Sequence, residues 1–217
     1  LEFKVIPSSK ERLNQLKEGN IHIADNLEPD DISVIENQVD LQLFFRPCFN
    51  TGYIALNNDK PPFDNNKVRK AVNYAINKEE LVKETFNNVA KPAKTLLPPV
   101  IWGFNESVEP SEYNIEQAKK LLVEAGYPSG FSASLYVMDS PRNYLPRPIQ
   151  VAEYIKKSLK KIDIDIIVKS FSWDDYLVRL KNGEHELAII GWTGDNIDPD
   201  NFLYTLLSSD NAKVGLA

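Results

Sequence analysis

The chain has 217 residues, of which 42% are hydrophobic and 26% charged, and these proportions are ordinary for a folded domain in water. Lys and Arg number 25 against 31 Asp and Glu, so the formal net charge is −6, which argues against non-specific binding to nucleic acid or anionic membranes. The single cysteine, Cys48, excludes an intramolecular disulfide and a multi-cysteine zinc site. No apolar run approaches the roughly 20 residues of a membrane-spanning helix. The first residues lack the pattern of a signal peptide, and the abrupt ends indicate a processed chain or a fragment.

The first part of the chain is predicted to form strand, helix and strand. Residues 1–6 (LEFKVI) and 21–27 (IHIADNL) alternate as strands do, and residues 8–20 between them have the pattern of an amphipathic helix that starts at a serine and ends near a glycine. Residues 39–57 follow as a long apolar stretch, which predicts either a pair of strands or one extended segment passing between two lobes. Cys48 lies in this stretch, where a lone cysteine is usually part of a core.

The rest of the chain alternates helices and strands. In residues 61–86 we expect two helices, the first capped by Asp64 and carrying an apolar stripe at helical spacing, the second capped by Asn77. The proline-rich residues 91–110 predict a long loop. Beyond it, helices are predicted at 115–126, 148–162, 174–183 and 201–209, and strands at 131–138, 163–171 and 185–192. This order predicts an α/β fold with a mixed or parallel sheet.

Enzymatic chemistry finds little support in the sequence. The only histidines, His22 and His185, lie in different parts of the chain, and no Gly-x-Ser-x-Gly segment accompanies them. The nine glycines form no phosphate-binding loop. We therefore interpret both histidines as structural and expect no catalytic residue.

The acidic segment at residues 195–201 (DNIDPDN) has two readings. Its spacing does not suit a calcium loop, because Pro199 and Phe202 interrupt the alternation of ligands. A turn in which Asp200 or Asn201 caps the last helix would explain most of it. Asp195 is left over: it follows a buried strand, and a carboxylate at the carboxyl end of a strand faces the crevice where α/β sheets bind ligands. The alternatives stay open at this point.

A second candidate is the loop at residues 138–148 (MDSPRNYLPRP), which also joins a strand to a helix. Arg142 and Arg147 flank Tyr144 there, and an arginine can form a bidentate pair with a carboxylate. The plain alternative is an arginine in a solvated loop. Taken with Asp195, Arg142 would complement a zwitterion, the arginine binding a carboxylate and the aspartate an amine.

Several segments resemble a known family. They are NTGYIALNNDKPPFDNNKVRKAVNYAINKEELV (50–82), LLPPVIWGFN (96–105), AKKLLVEAGYPSGF (118–131), SPRNYLP (140–146) and GEHELAIIGWTGDNIDPDNF (183–202). The chain is similar to the extracytoplasmic solute-binding proteins of peptide and nickel ABC importers, above all to the dipeptide-binding members. This implies a periplasmic-binding-protein-like two-lobe fold of type II, with mixed sheets flanked by helices, of which the chain is a part. Residues 1–47 would be a returning segment of the first lobe with the hinge crossing, and residues 48–217 most of the second, C-terminal, peptide-binding lobe.

The resemblance also implies ligand-binding residues. Asp195 matches the aspartate that pairs with the α-amino group of a peptide, and Arg142 matches the arginine that holds the carboxylate in dipeptide binders. The other residues implied at the site are Gly191, Trp192 and Thr193 at a strand end, Trp173 near the pocket, and Tyr144 in the arginine loop.

The implied function is the capture of short peptides, with dipeptides expected, and their delivery to an ABC permease in the membrane. The family implies no chemical step, no cofactor and no metal. Its members are extracytoplasmic, in the periplasm or as cell-surface lipoproteins of Gram-positive bacteria, and we expect a monomer that binds neither nucleic acid nor the membrane directly. Two alternatives remain: a binding protein for nickel chelates, haem or another solute of the same family, and a peptide hydrolase, which the missing nucleophile and metal sets disfavour.

Overall fold

The computed structural model of the chain describes residues 1–212. It divides into two compact units, Leu1–Pro47 and Cys48–Ala217. The assignment of residues 1–47 and 48–217 to two different lobes of a larger protein stays a prediction.

The first unit contains two helices, α1 (Ser9–Lys17) and α2 (Asp31–Glu36). The α1 helix forms where the sequence predicts it, because the Ser8 hydroxyl caps it by accepting a hydrogen bond from the backbone N–H of Glu11. The Arg12 guanidinium donates to the carbonyls of Ile6 and Pro7 on one side and of Asn26 on the other. Side-chain donors to backbone carbonyls thus hold the irregular segments around α1.

The two strands predicted around α1 are wrong. Residues 1–6 and 21–27 have no regular secondary structure, and the apolar side chains of Phe3 and Val5 are 86% and 93% exposed. A strand needs a neighbour to satisfy its backbone hydrogen bonds, and residues 1–47 contain no strand. The alternation of apolar and polar residues in these two segments therefore does not correspond to a strand, because residues 1–47 contain no sheet that could bury the apolar side chains. The α2 helix was not predicted.

The apolar stretch before the second unit is also irregular. Residues 41–48 have no strand, and Phe44 and Phe45 are 83% and 68% exposed. Cys48 is exposed rather than part of a core, and its thiol lies 3.3 Å from the side-chain oxygen of Asn50. The regular strand begins at Asn50, so only the end of this stretch pairs within the described chain.

The second unit follows the predicted alternation closely. Its elements are β1 (Asn50–Leu56), α3 (Asn66–Ala75), α4 (Lys78–Phe86), α5 (Ile115–Glu124), β2 (Phe131–Met138), α6 (Pro148–Lys160), β3 (Ile164–Phe171), α7 (Trp173–Lys181), β4 (Leu187–Thr193), α8 (Asp200–Leu207) and α9 (Ser209–Ala212). Asn77 caps α4 as predicted, whereas α3 is capped by Asn65 rather than by Asp64. None of the helices within residues 1–212 is long and apolar enough to cross a bilayer.

The four strands form one mixed sheet in the order β1-β4-β2-β3. The β2 and β3 strands are parallel along their whole length, and β1 runs antiparallel to β4 along all of its length. The pairing of β4 with β2 is short, because it covers only Leu135 with Leu187 and Tyr136 with Ala188. Beyond Ala188 no residue of β4 pairs with β2, which ends at Met138, so within residues 1–212 the carboxyl end of β4 has no partner strand on that side.

Helices cover the sheet and bury two apolar clusters. The larger cluster includes the predicted stripe of α3, namely Val68, Ala71, Val72 and Ala75, together with the inner faces of the strands and of α5 and α6. The smaller cluster joins Leu97 and Ile101 of the long loop to Phe202 and Leu206 of α8. This second cluster fixes the loop and the last helices beside the carboxyl end of β4.

Candidate functional site

The topology of the sheet leaves a crevice at one edge. The chain passes from β2 to β3 on one side of β2 and then to β4 on the other side. Since β2, β3 and β4 are parallel, the loops that follow them lie at one edge of the sheet, and in open α/β sheets ligands bind at this carboxyl edge. All predicted site residues follow or end one of the three parallel strands, so the fold brings them to the same edge.

The loop after β2 holds Arg142 in a defined position. Backbone hydrogen bonds run both ways between Arg142 and Leu145, at 3.0 and 2.8 Å, and close a tight turn. The guanidinium carbon of Arg142 lies 3.7 Å from the ring centroid of Trp173, the first residue of α7. Within residues 1–212 the guanidinium forms no ion pair, and its buried Nε has no hydrogen-bond partner. The cation is thus oriented by stacking, and its charge is not neutralised.

Tyr144, at the tip of the same turn, fills the crevice. Burial raises the pKa of its phenol, while the Arg142 charge and a hydrogen bond from the backbone of Gly191 partly offset that rise in pKa. Two neighbouring phenols behave similarly: burial, with a smaller effect of Tyr144, raises the pKa of Tyr53 to about 12, and burial also raises the pKa of Tyr176. All three phenols are therefore neutral hydrogen-bonding groups at physiological pH.

The end of β4 offers backbone groups to the crevice. Only alternate residues of an antiparallel strand bond to their partner strand, and the bond from Gly194 N–H to Phe49 O (2.6 Å) sets the phase for the β1–β4 pair. Gly191 and Thr193 consequently turn their N–H and C=O groups away from β1, to the side where β2 no longer pairs with β4. The Gly191 N–H donates to the Tyr144 phenol, which leaves the Gly191 carbonyl and the Thr193 groups on that side. The side chain of Trp192 points to the other face of the sheet and packs against the cluster around α8.

Asp195 lies two residues beyond β4, and its carboxylate is exposed. Neither of the caps proposed for α8 is correct, because Pro199 occupies the cap position and no side chain caps the helix. The side-chain oxygen of Asn201 instead accepts from the indole N–H of Trp192 (3.0 Å) and from the backbone N–H of Asp195 (3.3 Å). Asn201 thereby ties the turn to the strand end. The Asp195 carboxylate has no ion-pair or hydrogen-bond partner within residues 1–212.

A cavity of about 1060 Å³ runs along β1 and the end of β4. Five of the predicted residues line it, namely Tyr144, Trp173, Gly191, Trp192 and Thr193. Arg142 and Asp195 are not among its lining residues. The charged lining that the structure describes is entirely cationic and consists of Arg69, Lys78, Lys94 and Lys181. Burial lowers the pKa of Lys78, and burial with the charge of Lys60 lowers the pKa of His185, so the histidine in the lining is neutral at physiological pH.

The structure gives the acidic turn no metal-binding geometry. Within residues 1–212, no three or more His, Cys, Asp or Glu side chains converge as metal ligands would. The ligand-binding roles of the predicted residues remain predictions.

Two contributors were missed at the sequence level. Asn201 was interpreted as a helix cap, and only the fold brings it to Trp192. Gly52 of β1 lies directly opposite Gly191 and beneath the backbone of Tyr144. A glycine inside a strand often marks a close approach of another backbone, so the segment TGY did carry a usable signal.

Comparison with known proteins identifies the chain's family. The family model "Bacterial extracellular solute-binding proteins, family 5 Middle" matches residues 1–214. The chain belongs to this family. The resemblance drawn from the sequence segments is thereby confirmed.

Individual members of the family share the whole length of the chain. It is 37% identical over 215 residues to the dipeptide-binding protein of Escherichia coli, covering 99% of the chain and 40% of that protein. It is also 37% identical over 211 residues to heme-binding protein A of Haemophilus influenzae, covering 97% and 39%. The structure of the ABC transporter-associated periplasmic binding protein DppA from Helicobacter pylori, in complex with peptide STSA, superposes with a TM-score of 0.85 at 34% identity, covering 98% of the chain and 40% of that structure.

These matches confirm the predicted fold, a type II periplasmic-binding-protein architecture present in part. The chain spans about 40% of the length of the relatives that it matches.

Proposed function

We propose that the full-length protein captures short peptides, dipeptides foremost, and delivers them to an ABC permease. One observation carries the proposal. Two opposite charges, Arg142 and Asp195, stand on loops at the same edge of the sheet, and neither forms an ion pair within residues 1–212. An unpaired cation and an unpaired anion beside one crevice suit a zwitterion, whose amine and carboxylate can each find a charged partner. The dipeptide-binding relative from E. coli and the peptide complex of the H. pylori relative support this reading.

Each site residue then has a role. Asp195 pairs with the peptide's α-amino group and Arg142 with its carboxylate. The Gly191 carbonyl and the backbone groups of Thr193 extend the hydrogen-bonding pattern of the sheet onto the peptide backbone. Trp173 fixes the plane of the guanidinium, and the neutral phenol of Tyr144 lines the crevice without adding a charge. Trp192 supports the strand end through Asn201 rather than through a contact in the crevice.

In this proposal the protein binds its ligand without chemical change, needs no cofactor, and works outside the cytoplasm as a monomer. The family to which the chain belongs consists of extracellular solute-binding proteins, and this supports both the location and the non-enzymatic role. Binding shifts the population of the two-lobed protein toward a closed state, and the permease recognises that closed state. Neither nucleic acid nor direct membrane contact plays a part.

Haem is the second candidate ligand. The relative named heme-binding protein A is as similar to the chain as the dipeptide-binding relative is. The apolar cavity with its cationic lining offers surface for a macrocycle and partners for its carboxylates. The two candidates use different surfaces: a dipeptide needs the charges of Arg142 and Asp195, whereas haem needs the cavity along β1.

Calorimetry on the full-length protein tests the proposal. We expect Ala-Ala to bind and N-acetyl-Ala-Ala to bind far more weakly, because acetylation removes the ammonium group. A titration with haem, followed by its absorbance, tests the second candidate. Mass spectrometry of the recovered peptide tests for turnover. Tight haem binding without dipeptide binding, or the release of hydrolysed peptide, would overturn the proposal.

A further inference from the structure

A pair of glycines leaves a bare patch on the sheet beneath the candidate site. Gly52 of β1 and Gly191 of β4 are directly opposite each other. They form one of the pairs that exchange no hydrogen bonds, and in such pairs the two Cα atoms approach most closely. Neither glycine adopts a positive φ, so the backbone conformation could be taken by other residues. Glycine also weakens a strand. The reason for two glycines at this register must therefore lie in what covers them.

Tyr144 packs against both positions, over Gly191 with its ring and beside the exposed Gly52 with its carbonyl. A Cβ at Gly191 would stand 2.5 Å from Cγ of the Tyr144 ring and 2.7 Å from the carbonyl oxygen of Thr51. A Cβ at Gly52 would stand 3.0 Å from the carbonyl oxygen of Tyr144 and would have no other neighbour closer than 4.0 Å. The ring of one residue thus rests on one glycine and its backbone rests on the other. No side chain larger than hydrogen fits at Gly191 unless both the Tyr144 ring and the Thr51 carbonyl of β1 move.

The height of Tyr144 above the sheet is linked to the position of Arg142. The paired hydrogen bonds between Arg142 and Leu145 make the turn a single rigid piece with Tyr144 at its tip. Arg142 places its guanidinium 3.7 Å from the ring of Trp173, which lies on a different element. A shift of the turn by a few tenths of an ångström would therefore move the guanidinium relative to its stacking partner.

We propose that the Gly52–Gly191 pair positions Arg142. Because neither residue has a side chain, the turn Arg142–Leu145 can lie close to the sheet, and at this distance the Arg142 guanidinium stacks on Trp173 and is directed toward the ligand carboxylate. The inference rests on the proposed function for its ligand. Gly52 acts through Tyr144 and Arg142, whereas Gly191 seats the Tyr144 ring and, in the proposed function, also offers its backbone carbonyl to the peptide.

Three variants of the full-length protein test the inference. Gly52→Ala adds one methyl group beneath the backbone of Tyr144, and we expect it to leave the thermal midpoint near the wild-type value while weakening Ala-Ala binding about three- to tenfold. Gly191→Ala displaces the Tyr144 ring and also the Thr51 carbonyl of β1, so its effect on affinity should be larger, above about tenfold. Ala55→Ser is the matched control: it adds one heavy atom to β1 three residues away, on the opposite side of the strand's pleat, and should bind as the wild type does.

A double-mutant cycle separates positioning from general damage to the sheet. In the Arg142→Ala background, Gly52→Ala should have almost no further effect on Ala-Ala affinity, since the group that it positions is gone. An undiminished effect in that background, or wild-type affinity in both glycine variants, would overturn the inference.

A measurement without ligand keeps this test independent of the proposed function. Stacking on Trp173 places the Nε–H proton of Arg142 in the shielding zone of an aromatic ring, so its NMR resonance should lie upfield in the wild type. Gly52→Ala should move this resonance toward its unshielded position, and Ala55→Ser should not. If the wild type fails to bind dipeptides but the resonance moves as expected, the proposed function is wrong and the positioning is upheld. If the resonance stays in place in both glycine variants, the positioning is refuted whatever the ligand.

Discussion

Replacing Arg142 should change which peptide lengths the protein accepts. The guanidinium is held by the tight turn after β2 and by its stack on Trp173, and the backbone that carries the Asp195 carboxylate is held by the bond from its N–H to Asn201. Two anchored charges define one distance between the ends of a ligand. An extended dipeptide spans about 7 Å, and each further residue adds roughly 3.3–3.6 Å. A tripeptide or a tetrapeptide must therefore bulge, displace an anchor or leave one terminal charge unpaired.

The expected loss of peptide affinity in each Arg142 variant follows from whether the charge of Arg142 or its stack on Trp173 is removed. Arg142→Ala leaves the ligand carboxylate without its charged partner, at a cost of roughly 2–5 kcal/mol, or about 30- to 4000-fold in Kd for Ala-Ala. Arg142→Lys keeps the charge but loses the planar stack on Trp173, which contributes about 0.5–2 kcal/mol, or roughly two- to thirtyfold. In the wild type we expect dipeptides to bind at least about tenfold, or about 1.4 kcal/mol, more tightly than tetrapeptides. Arg142→Ala should narrow that gap by weakening dipeptides while sparing longer ligands.

Calorimetric titration of the full-length protein with di-, tri- and tetra-alanine measures these effects. Arg147→Ala is the matched control, because Arg147 belongs to the same loop and carries the same charge, and this variant should keep the wild-type preference. The H. pylori relative holds a four-residue peptide, so tetra-alanine is the informative competitor. Equal affinity for the three lengths in the wild type would refute the reasoning, as would a length preference lost in Arg147→Ala and kept in Arg142→Ala.

Three further variants have defined outcomes in the same full-length protein. Asp195→Ala should weaken Ala-Ala by about 30- to 4000-fold, through the loss of roughly 2–5 kcal/mol, yet leave N-acetyl-Ala-Ala unaffected; an equal loss for both peptides in calorimetry would contradict the amine contact. Asn201→Leu removes the acceptor of two N–H groups, one of them on Trp192, and should lower the free energy of unfolding by about 1–3 kcal/mol in urea titrations, as well as weakening the peptide. Tyr176→Phe removes a buried hydroxyl that donates to the Ile189 carbonyl at 2.7 Å and should cost about 1–2 kcal/mol of stability with peptide affinity unchanged; stability equal to wild type would mean that this bond contributes nothing.

The segments that the sequence predicted well share a physical property. The α4 and α5 helices are specified by a capping asparagine at one end and an apolar stripe along one face, both of which act within a few residues. The strands β2 and β4 are apolar runs that other elements of the same unit cover on both faces. In each case the cap, or the element that covers the apolar face, lies nearby in the sequence or within the same unit.

The segments that the sequence predicted wrongly need partners that lie outside their own local stretch of chain. The segments 1–6 and 21–27 alternate as strands, yet residues 1–47 contain no strand that could accept their backbone hydrogen bonds. Asn201 has the residue type and the spacing of a helix cap, but its side chain satisfies the indole of Trp192 across nine residues instead. A local sequence pattern shows that a backbone or side-chain group needs a hydrogen-bond partner, but it does not show which residue will be that partner.

For this protein, local sequence was enough to establish an α/β chain, the place of nearly every helix and strand after residue 48, and the loops that carry Arg142 and Asp195. These features depend on periodicity, capping and turn residues, whose energies act over a few positions. Only the tertiary structure decided the order β1-β4-β2-β3, the crevice where β4 leaves β2, and the seating of Tyr144 on Gly52 and Gly191. Strand order and register come from packing between segments that lie from 33 residues (Phe131 and Ile164) to 143 residues (Asn50 and Thr193) apart, so no pattern within one segment encodes them.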